Sequence, residues 1–101
     1  MAGSSGVLEL VMEITVEFFG IPRQRVGQQA TRLSLAPPVS LGMVLEELAA
    51  RFPCLARDCI EAGELQAGFL ASIDGDRFIS DPSSSIAEGN RVLILSADAG
   101  G

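Results

Sequence analysis

The stretch Met12-Glu13-Ile14-Thr15-Val16-Glu17-Phe18-Phe19 alternates apolar and polar side chains with a period of two residues. That period is typical of a β-strand with one face on a core and the other toward water. Phe19 departs from the pattern, because it places an aromatic ring on the face that otherwise carries Glu and Thr. The sequence therefore predicts a half-buried strand that ends with an aromatic side chain on its polar face.

The next segments predict a second strand and then a helix. Residues 30–36 alternate again and are expected to form a hairpin with the first strand across a turn region at 20–29. Ser40 can cap a helix, and apolar residues recur at helical spacing over 41–52 until Pro53 stops the pattern. This half of the chain is thus predicted to form two strands followed by an amphipathic helix of about three turns.

The second half of the chain is richer in strand patterns. A short second helix is expected near residues 55–60, followed by a third strand at 69–73. Asp74-Gly75 is a tight-turn signal that leads into a short fourth strand at 77–79. Residues 91–97 contain a continuous apolar run, which favours a last strand in the centre of a sheet.

The order of these elements predicts the fold class. One main helix packed on one face of a mixed sheet of about five strands is an α+β arrangement. With the first and last strands side by side in the centre, this is the β-grasp or ubiquitin-like arrangement. A chain of 101 residues accommodates one such domain, expected over residues 8–96, with flexible tails at 1–7 and 97–101.

Composition excludes several classes of function. The net charge is −6, so nucleic acids and anionic membranes are poor partners and a protein with a basic surface is a better one. The chain has neither His nor Lys, which removes the commonest general base and any Schiff-base chemistry. No bound cofactor, metal site or catalytic residue is expected. The sequence has no signal-peptide pattern and no apolar stretch long enough to span a bilayer, so we expect it in the cytoplasm.

The two cysteines, Cys54 and Cys59, are interpreted as ordinary free thiols. A C-x4-C spacing with no further ligands does not make a zinc site. The only cation beside them in sequence is Arg57, and Asp58 offsets it, so nothing there is expected to lower a thiol pKa.

The chain ends in the small residues Ala97-Asp98-Ala99-Gly100-Gly101, which we expect to project from the domain. A terminal carboxylate is ionised at neutral pH, with an ordinary pKa of roughly 3.5. A partner enzyme could let it attack the α-phosphate of ATP to give an acyl-adenylate, which a sulfur nucleophile would convert to a thiocarboxylate. Glycine has no Cβ and therefore fits a narrow cleft. The tail is the most credible reactive part of the chain.

Several segments together resemble the MoaD/ThiS family of ubiquitin-like sulfur carriers. They are Glu13-Ile14-Thr15-Val16-Glu17-Phe18-Phe19-Gly20, the helix at 41–52, Glu88-Gly89-Asn90-Arg91-Val92 and the final Gly100-Gly101. The resemblance covers nearly the whole chain after Val11, and the glycine pair is its most specific element.

The resemblance implies a function for the tail. Gly101 would be adenylated by an E1-like enzyme that uses ATP, and would then carry sulfur as a thiocarboxylate. Asp98, Ala99 and Gly100 would thread the active site of each partner. In the molybdopterin synthase small subunit, the tail enters the large subunit and passes sulfur to the pterin precursor of molybdenum cofactor. Such a chain is a carrier and co-substrate, not an enzyme.

The molybdopterin type is favoured over the ThiS type, which serves a thiazole synthase in thiamin synthesis. The stretch between helix and third strand is extended, and Phe18-Phe19-Gly20 is followed by Arg23 and Gly27. Three alternatives stay open at this point. They are a sulfur carrier for thiamin or cysteine, a ubiquitin-like modifier joined through Gly101 to lysines of target proteins, and a β-grasp interaction module with an inert tail.

A partner interface is predicted at Phe19 and Leu95. Counting from Arg91, alternate residues of the last strand face outward, and these include Leu93 and Leu95. If the first and last strands are neighbours, Phe19 and Leu95 form an apolar patch near the base of the tail, and such patches often mark partner surfaces. The alternative is that a helix or loop of the same chain covers them. The resemblance also implies docking on the corresponding surface.

Overall fold

Nine strands and three helices make up residues 11–97, the part of the chain that the computed structural model describes. The strands are β1 (Met12–Phe19), β2 (Ala30–Leu35), β3 (Val39–Ser40), β4 (Ile60–Glu61), β5 (Glu64–Leu65), β6 (Phe69–Ile73), β7 (Arg77–Ile79), β8 (Ser85–Ile86) and β9 (Arg91–Ser96). The helices are α1 (Ile21–Val26), α2 (Leu41–Arg51) and α3 (Pro53–Asp58).

Five of the strands form one mixed sheet in the order β2-β1-β9-β6-β7. The central pair, β1 and β9, is parallel, and every other neighbouring pair is antiparallel. Two-residue strands form the small ladders β3–β8 and β4–β5. The predicted fold class is confirmed, since the first and last strands lie side by side in the centre of a five-stranded mixed sheet.

Helix α2 forms for the reasons the sequence suggests. The Met43 amide donates to Ser40 Oγ at 3.3 Å, so Ser40 caps the helix as predicted. Four apolar side chains at helical spacing are buried beneath it, namely Leu41, Val44, Leu45 and Leu48. They pack with the inner face of the sheet, whose buried side chains are Ile14, Val16, Phe18, Leu33, Ala71, Ile73, Val92 and Ile94. The core therefore lies on one side of the sheet, under α2.

The turn region predicted at residues 20–29 contains a helix, α1, which the sequence pattern does not predict. Gly20 turns the chain with a φ of 66°, and Pro22 occupies the second helical position, where its fixed φ is favourable. Gly27, at a φ of 78°, ends the helix with its amide donating to the Arg23 carbonyl at 2.8 Å. With six residues, α1 is too short to show a helical hydrophobic period.

The observed bounds of other helices and strands differ by a few residues from the predicted bounds. The short helix expected near 55–60 is α3, which begins at Pro53, because proline fits the first turn of a helix. The four two-residue strands were not predicted, since two residues are too few for alternation to be seen. Of the tails predicted at 1–7 and 97–101, all residues except Ala97 lie outside the described residues, and β9 ends at Ser96.

Candidate functional site

Apolar side chains gather on the side of the sheet opposite α2. Phe19 and Leu95 are register partners on β1 and β9, and Leu95 is in turn opposite Leu70 on β6. In the neighbouring row of side chains, Leu93 on β9 and Phe78 on β7 lie on either side of Ser72. We call the five apolar side chains the outer apolar face: Phe19, Leu70, Phe78, Leu93 and Leu95.

Part of the outer apolar face is accessible to solvent. Phe78 is 64% exposed and Leu70 is 38% exposed, while Phe19, Leu93 and Leu95 are half-buried among their neighbours. Phe78 and Leu70 are two of the three exposed large hydrophobic residues in residues 11–97. Clustered exposure of this kind is characteristic of protein-binding surfaces.

The expected juxtaposition of Phe19 and Leu95 is present, whereas Leu70 and Phe78 were not foreseen. Strand parity could have found both, because Ala71 and Ile73 point to the core and so leave Leu70 outward. Phe78 follows the same argument across the hairpin, where it pairs with Ser72. The role of this surface in docking stays a prediction.

Ion pairs border the outer apolar face on the same side of the sheet. Arg91 Nε lies 3.3 Å from Glu17 Oε2, and Arg32 Nη1 lies 3.6 Å from Glu13 Oε1. Such solvent-exposed pairs contribute only about 0–1 kcal/mol each to stability. Their effect is to make this part of the surface locally neutral although the chain as a whole is acidic.

The end of β9 is held at two points. The Ile21 amide, at the start of α1, donates to Ser96 Oγ at 3.3 Å, and the Ala97 amide donates to the Gly68 carbonyl at 2.8 Å. Ser96 is only 3% exposed. Gly20 has no side chain to cap α1, so the Ser96 hydroxyl satisfies a helix donor that would otherwise be unpaired. The chain consequently leaves the sheet from a fixed position beside Leu95.

The predicted reactive residues lie beyond that position. Asp98, Ala99, Gly100 and Gly101 are outside the described residues, and the structure defines only their starting point at Ala97. Four fully extended residues span at most about 14 Å.

The two cysteines are separate from this surface. Cys54 is half-buried, and its Sγ donates to the Arg25 carbonyl at 3.2 Å. Cys59 is fully buried, and this burial, with a further contribution from the Asp58 charge, raises the pKa of its thiol to about 11. A thiol with a raised pKa is a poor nucleophile at neutral pH, which agrees with the interpretation of Cys59 as an ordinary free thiol.

Alkylation should reveal the raised pKa of Cys59. At pH 8 a thiol with a pKa of about 11 is ionised in only about one molecule in a thousand, so iodoacetamide should leave Cys59 unmodified in the folded chain. Peptide mass spectrometry measures the modification of each cysteine. In the control, the chain is unfolded in about 6 M guanidinium, and both thiols should react. Because the unfolded chain ionises this thiol near pH 9.0, stability should also fall as pH rises from there toward 11. Rapid modification of Cys59 in the folded chain would contradict the assignment.

Residues 11–97 contain no metal-binding cluster and no membrane-spanning helix. No three or more His, Cys, Asp or Glu side chains gather there in a way that could hold a metal ion. None of the helices described is both long and apolar enough to cross a membrane.

Solved structures resemble this chain, although no protein-family model and no curated protein matches its sequence. The HVO 2177 protein of Haloferax volcanii superposes with a TM-score of 0.74 at 28% identity, over 90% of this chain and 88% of that one. SAMP1 of Haloferax volcanii, a small archaeal modifier protein, superposes with a TM-score of 0.72 at 19% identity, over 88% of this chain and 99% of that one.

This chain has the ubiquitin-like β-grasp fold. A putative molybdopterin converting factor, subunit 1, of Pyrococcus furiosus shares it, with a TM-score of 0.71 at 17% identity over 84% of this chain and 97% of that one. Because the chain covers nearly all of each neighbour, the likeness is to whole ubiquitin-like domains and not to a fragment. The outer apolar face and the root of the tail are therefore features of a complete ubiquitin-like sheet.

Proposed function

We propose that this chain is a cytoplasmic sulfur carrier that works through the carboxylate of Gly101. One observation carries the proposal most directly: the outer apolar face adjoins the root of a tail that ends in Gly100-Gly101. A partner that docks on Phe19 and Leu95 can receive the tail in the same encounter.

The chemistry proposed needs only the tail from this chain. A carboxylate oxygen of Gly101 attacks the α-phosphorus of ATP in the active site of an E1-like enzyme, and pyrophosphate leaves. A sulfur nucleophile at the oxidation level of hydrosulfide then attacks the acyl carbon of the adenylate, AMP leaves, and the proton on sulfur is released. The product is a thiocarboxylate in which one oxygen has been replaced by sulfur. The chain is thus a co-substrate, and its part is to dock and to deliver the tail.

For the receiving pathway, we propose the small subunit of molybdopterin synthase, with the tail entering the large subunit. Support comes from the sequence similarity at Phe18-Phe19-Gly20 and from a solved neighbour named as a putative molybdopterin converting factor subunit. A carrier that supplies thiazole synthase or cysteine synthesis would use the same tail chemistry. Co-purification with a large synthase subunit or with a thiazole synthase would distinguish these pathways.

A second candidate function is that of a ubiquitin-like modifier joined through Gly101 to lysines of target proteins. The observation that favours it is the similarity to SAMP1, which is named as a modifier. Both functions begin with adenylation of Gly101 and differ in the nucleophile that attacks the adenylate.

Intact mass spectrometry tests the proposal. The chain is incubated with ATP, an E1-like enzyme and a sulfur source, and we expect the mass increase that corresponds to replacement of one oxygen by one sulfur. Omitting the sulfur source should leave the adenylate, and adding a lysine-containing protein in its place should yield a conjugate only if the chain is a modifier. An unchanged mass with an enzyme that activates its own carrier would rule out both functions.

Docking on the outer apolar face predicts a loss of binding for Leu70→Asn. This exposed leucine is opposite Leu95, and we expect its replacement to weaken binding to the activating enzyme by about tenfold, since truncating a hot-spot residue near the centre of an interface costs about 2 kcal/mol or more. Calorimetry measures the dissociation constant. Val11→Asn is the matched control, because Val11 is 52% exposed but precedes β1, at the end of that strand farthest from Phe19. Equal binding by the two variants would place the interface elsewhere.

A further inference from the structure

A cleft lies beside the outer apolar face, where β1 leads into α1 and β2 begins. It has a volume of about 210 Å³ and is lined by Glu17, Phe19, Arg23, Gln29 and Ala30. We propose that this cleft, which we call the Arg23 cleft, binds an Asp or Glu side chain of the protein that docks on the outer apolar face. The proposal rests on the proposed function, because it concerns how the activating partner is recognised.

The guanidinium of Arg23 is held in place by its own chain. Its Nε donates to the Phe18 carbonyl at 3.0 Å, and its Cζ lies 5.2 Å from the centroid of the Phe19 ring. The hydrogen bond and the cation–π contact both restrict an otherwise flexible side chain. A group ordered before binding loses less conformational entropy on binding, so a ligand of Arg23 gains affinity from this arrangement.

The charge of Arg23 is available to a ligand. Four other arginines in residues 11–97 form ion pairs with carboxylates, whereas Arg23 pairs with none of the carboxylates described. Its Nη atoms make no hydrogen bond within the described part of the chain. Glu17 is the one carboxylate lining the cleft, and Arg91 neutralises it at 3.3 Å. The cleft therefore presents a cation with free N–H donors.

The shape and position of the cleft favour a carboxylate on a short stem. Two parallel N–H groups of a guanidinium match the two oxygens of a carboxylate, and the Phe19 ring offers an apolar wall to the methylene groups. Gln29, whose side chain carries an amide, also lines the cleft. The phosphates of ATP are poorer candidates, because one guanidinium beside Glu17, on a chain with a net charge of −6, offers little electrostatic attraction to a polyanion.

A single cation in this place would orient the partner. The chain carries a net charge of −6, so a basic partner is attracted to it in many orientations. Among the orientations in which a basic partner covers the outer apolar face, the one that brings a carboxylate onto Arg23 avoids an unfavourable contact between two cations. Charge pairs of this kind contribute to register and specificity more than to overall affinity. In the selected orientation, the partner covers the outer apolar face next to the root of the tail.

The test compares Arg23→Gln with Arg57→Gln in binding to the E1-like enzyme. Arg57 is the matched control because it is exposed on α3 and pairs with no carboxylate in residues 11–97. We expect Arg23→Gln to raise the dissociation constant, and the KM for this chain in ATP–pyrophosphate exchange, about tenfold with kcat unchanged. Arg57→Gln should stay within about twofold of the original chain.

Further variants separate local unfolding from loss of the carboxylate contact. Arg23→Lys keeps the charge but not the paired N–H groups, and it should weaken binding by an intermediate factor. Arg23→Glu should bind more weakly still, and one Asp→Arg or Glu→Arg substitution on the enzyme should recover its binding. Hydrogen exchange of the α1 amides identifies any variant in which this helix no longer folds.

Each remaining outcome decides between the alternatives. If Arg23→Gln and Arg57→Gln bind equally while the original chain is adenylated, the Arg23 cleft is wrong and the proposed function stands. If the original chain is not adenylated by a competent enzyme, both are wrong. The comparison is repeated on a chain that ends at Ala97. An effect of Arg23→Gln that vanishes there would mean that Arg23 binds a carboxylate of this chain's own tail, which overturns the proposal.

Discussion

Adding one alanine after Gly101 is expected to lower thiocarboxylate formation by at least about 100-fold without changing the free energy of unfolding. The addition moves the reacting carboxylate by one residue, or about 3.5 Å, and places a methyl group where the partner's cleft has to admit a glycine. A misplacement of about 1 Å is enough to cost a factor of 100 in an enzymatic reaction.

The structure explains why the chain cannot compensate by sliding. A slip of β9 by one residue would turn Val92, Ile94 and Ser96 to the outer face of the sheet and bring Leu93 and Leu95 into the core. It would also break the hydrogen bonds that hold Ser96 and Ala97. The root of the tail is therefore fixed, and an added residue has to be accommodated entirely at the far end.

Intact mass spectrometry after incubation with ATP, an E1-like enzyme and a sulfur source measures this effect. An alanine added before Met1 is the matched control, since it changes the chain by the same residue at the other terminus. Chemical denaturation verifies that both variants keep the stability of the original chain. Thiocarboxylate formation at an undiminished rate in the chain extended after Gly101 would show that the terminal glycine is not the reacting residue.

The largest effect on stability is expected for Phe18→Ala, at about 3–5 kcal/mol. Phe18 is fully buried in the centre of the sheet, and its ring meets the Phe52 ring edge to face, with centroids 5.9 Å apart and an interplanar angle of 81°. Phe52 lies between α2 and α3, so this contact joins the sheet to both helices. Removing the ring leaves a cavity that the surrounding helices and strands can fill only in part.

Urea denaturation measures the change in the free energy of unfolding. Phe78→Ala is the matched control, because the same truncation at a residue that is 64% exposed should change stability by no more than about 0.5 kcal/mol. A domain of this size is typically stable by only about 5–15 kcal/mol, so Phe18→Ala should remove a large part of the total. A loss below about 1 kcal/mol would mean that the packing around Phe18 relaxes far more than its burial suggests.

The strands that form the sheet could be predicted from the sequence because alternation encodes them locally. β1 and β2 show the period of two, and the continuous apolar run of β9 indicates its central position. Helix α2 was predictable for the same reason, since its cap at Ser40 and its apolar spacing lie within one short segment. Helix α1 was not predictable in this way, because two glycines and a proline look the same in a loop as at the ends of a short helix.

The parts of the candidate site that were missed depend on contacts between residues distant in sequence. The hydrogen bond between Ile21 and Ser96 joins residues that are 75 positions apart, so no pattern within a single segment predicts it. Leu70 and Phe78 belong to the outer apolar face only once β6 is placed beside β9. The position of Arg23 over Phe19 likewise follows from α1, so it became visible only with the structure.

The parallel pairing of β1 with β9 has a consequence for how the protein is made. Pairs so distant in sequence form late, since closing a long loop is entropically costly. During synthesis on the ribosome, β1 cannot pair with β9 until nearly all of the domain has been translated. A chain that stops before Arg91 lacks the strand that completes both the core and the outer apolar face. Only a chain that includes β9 therefore presents the outer apolar face in full, so incomplete chains would not compete for a partner that docks on it.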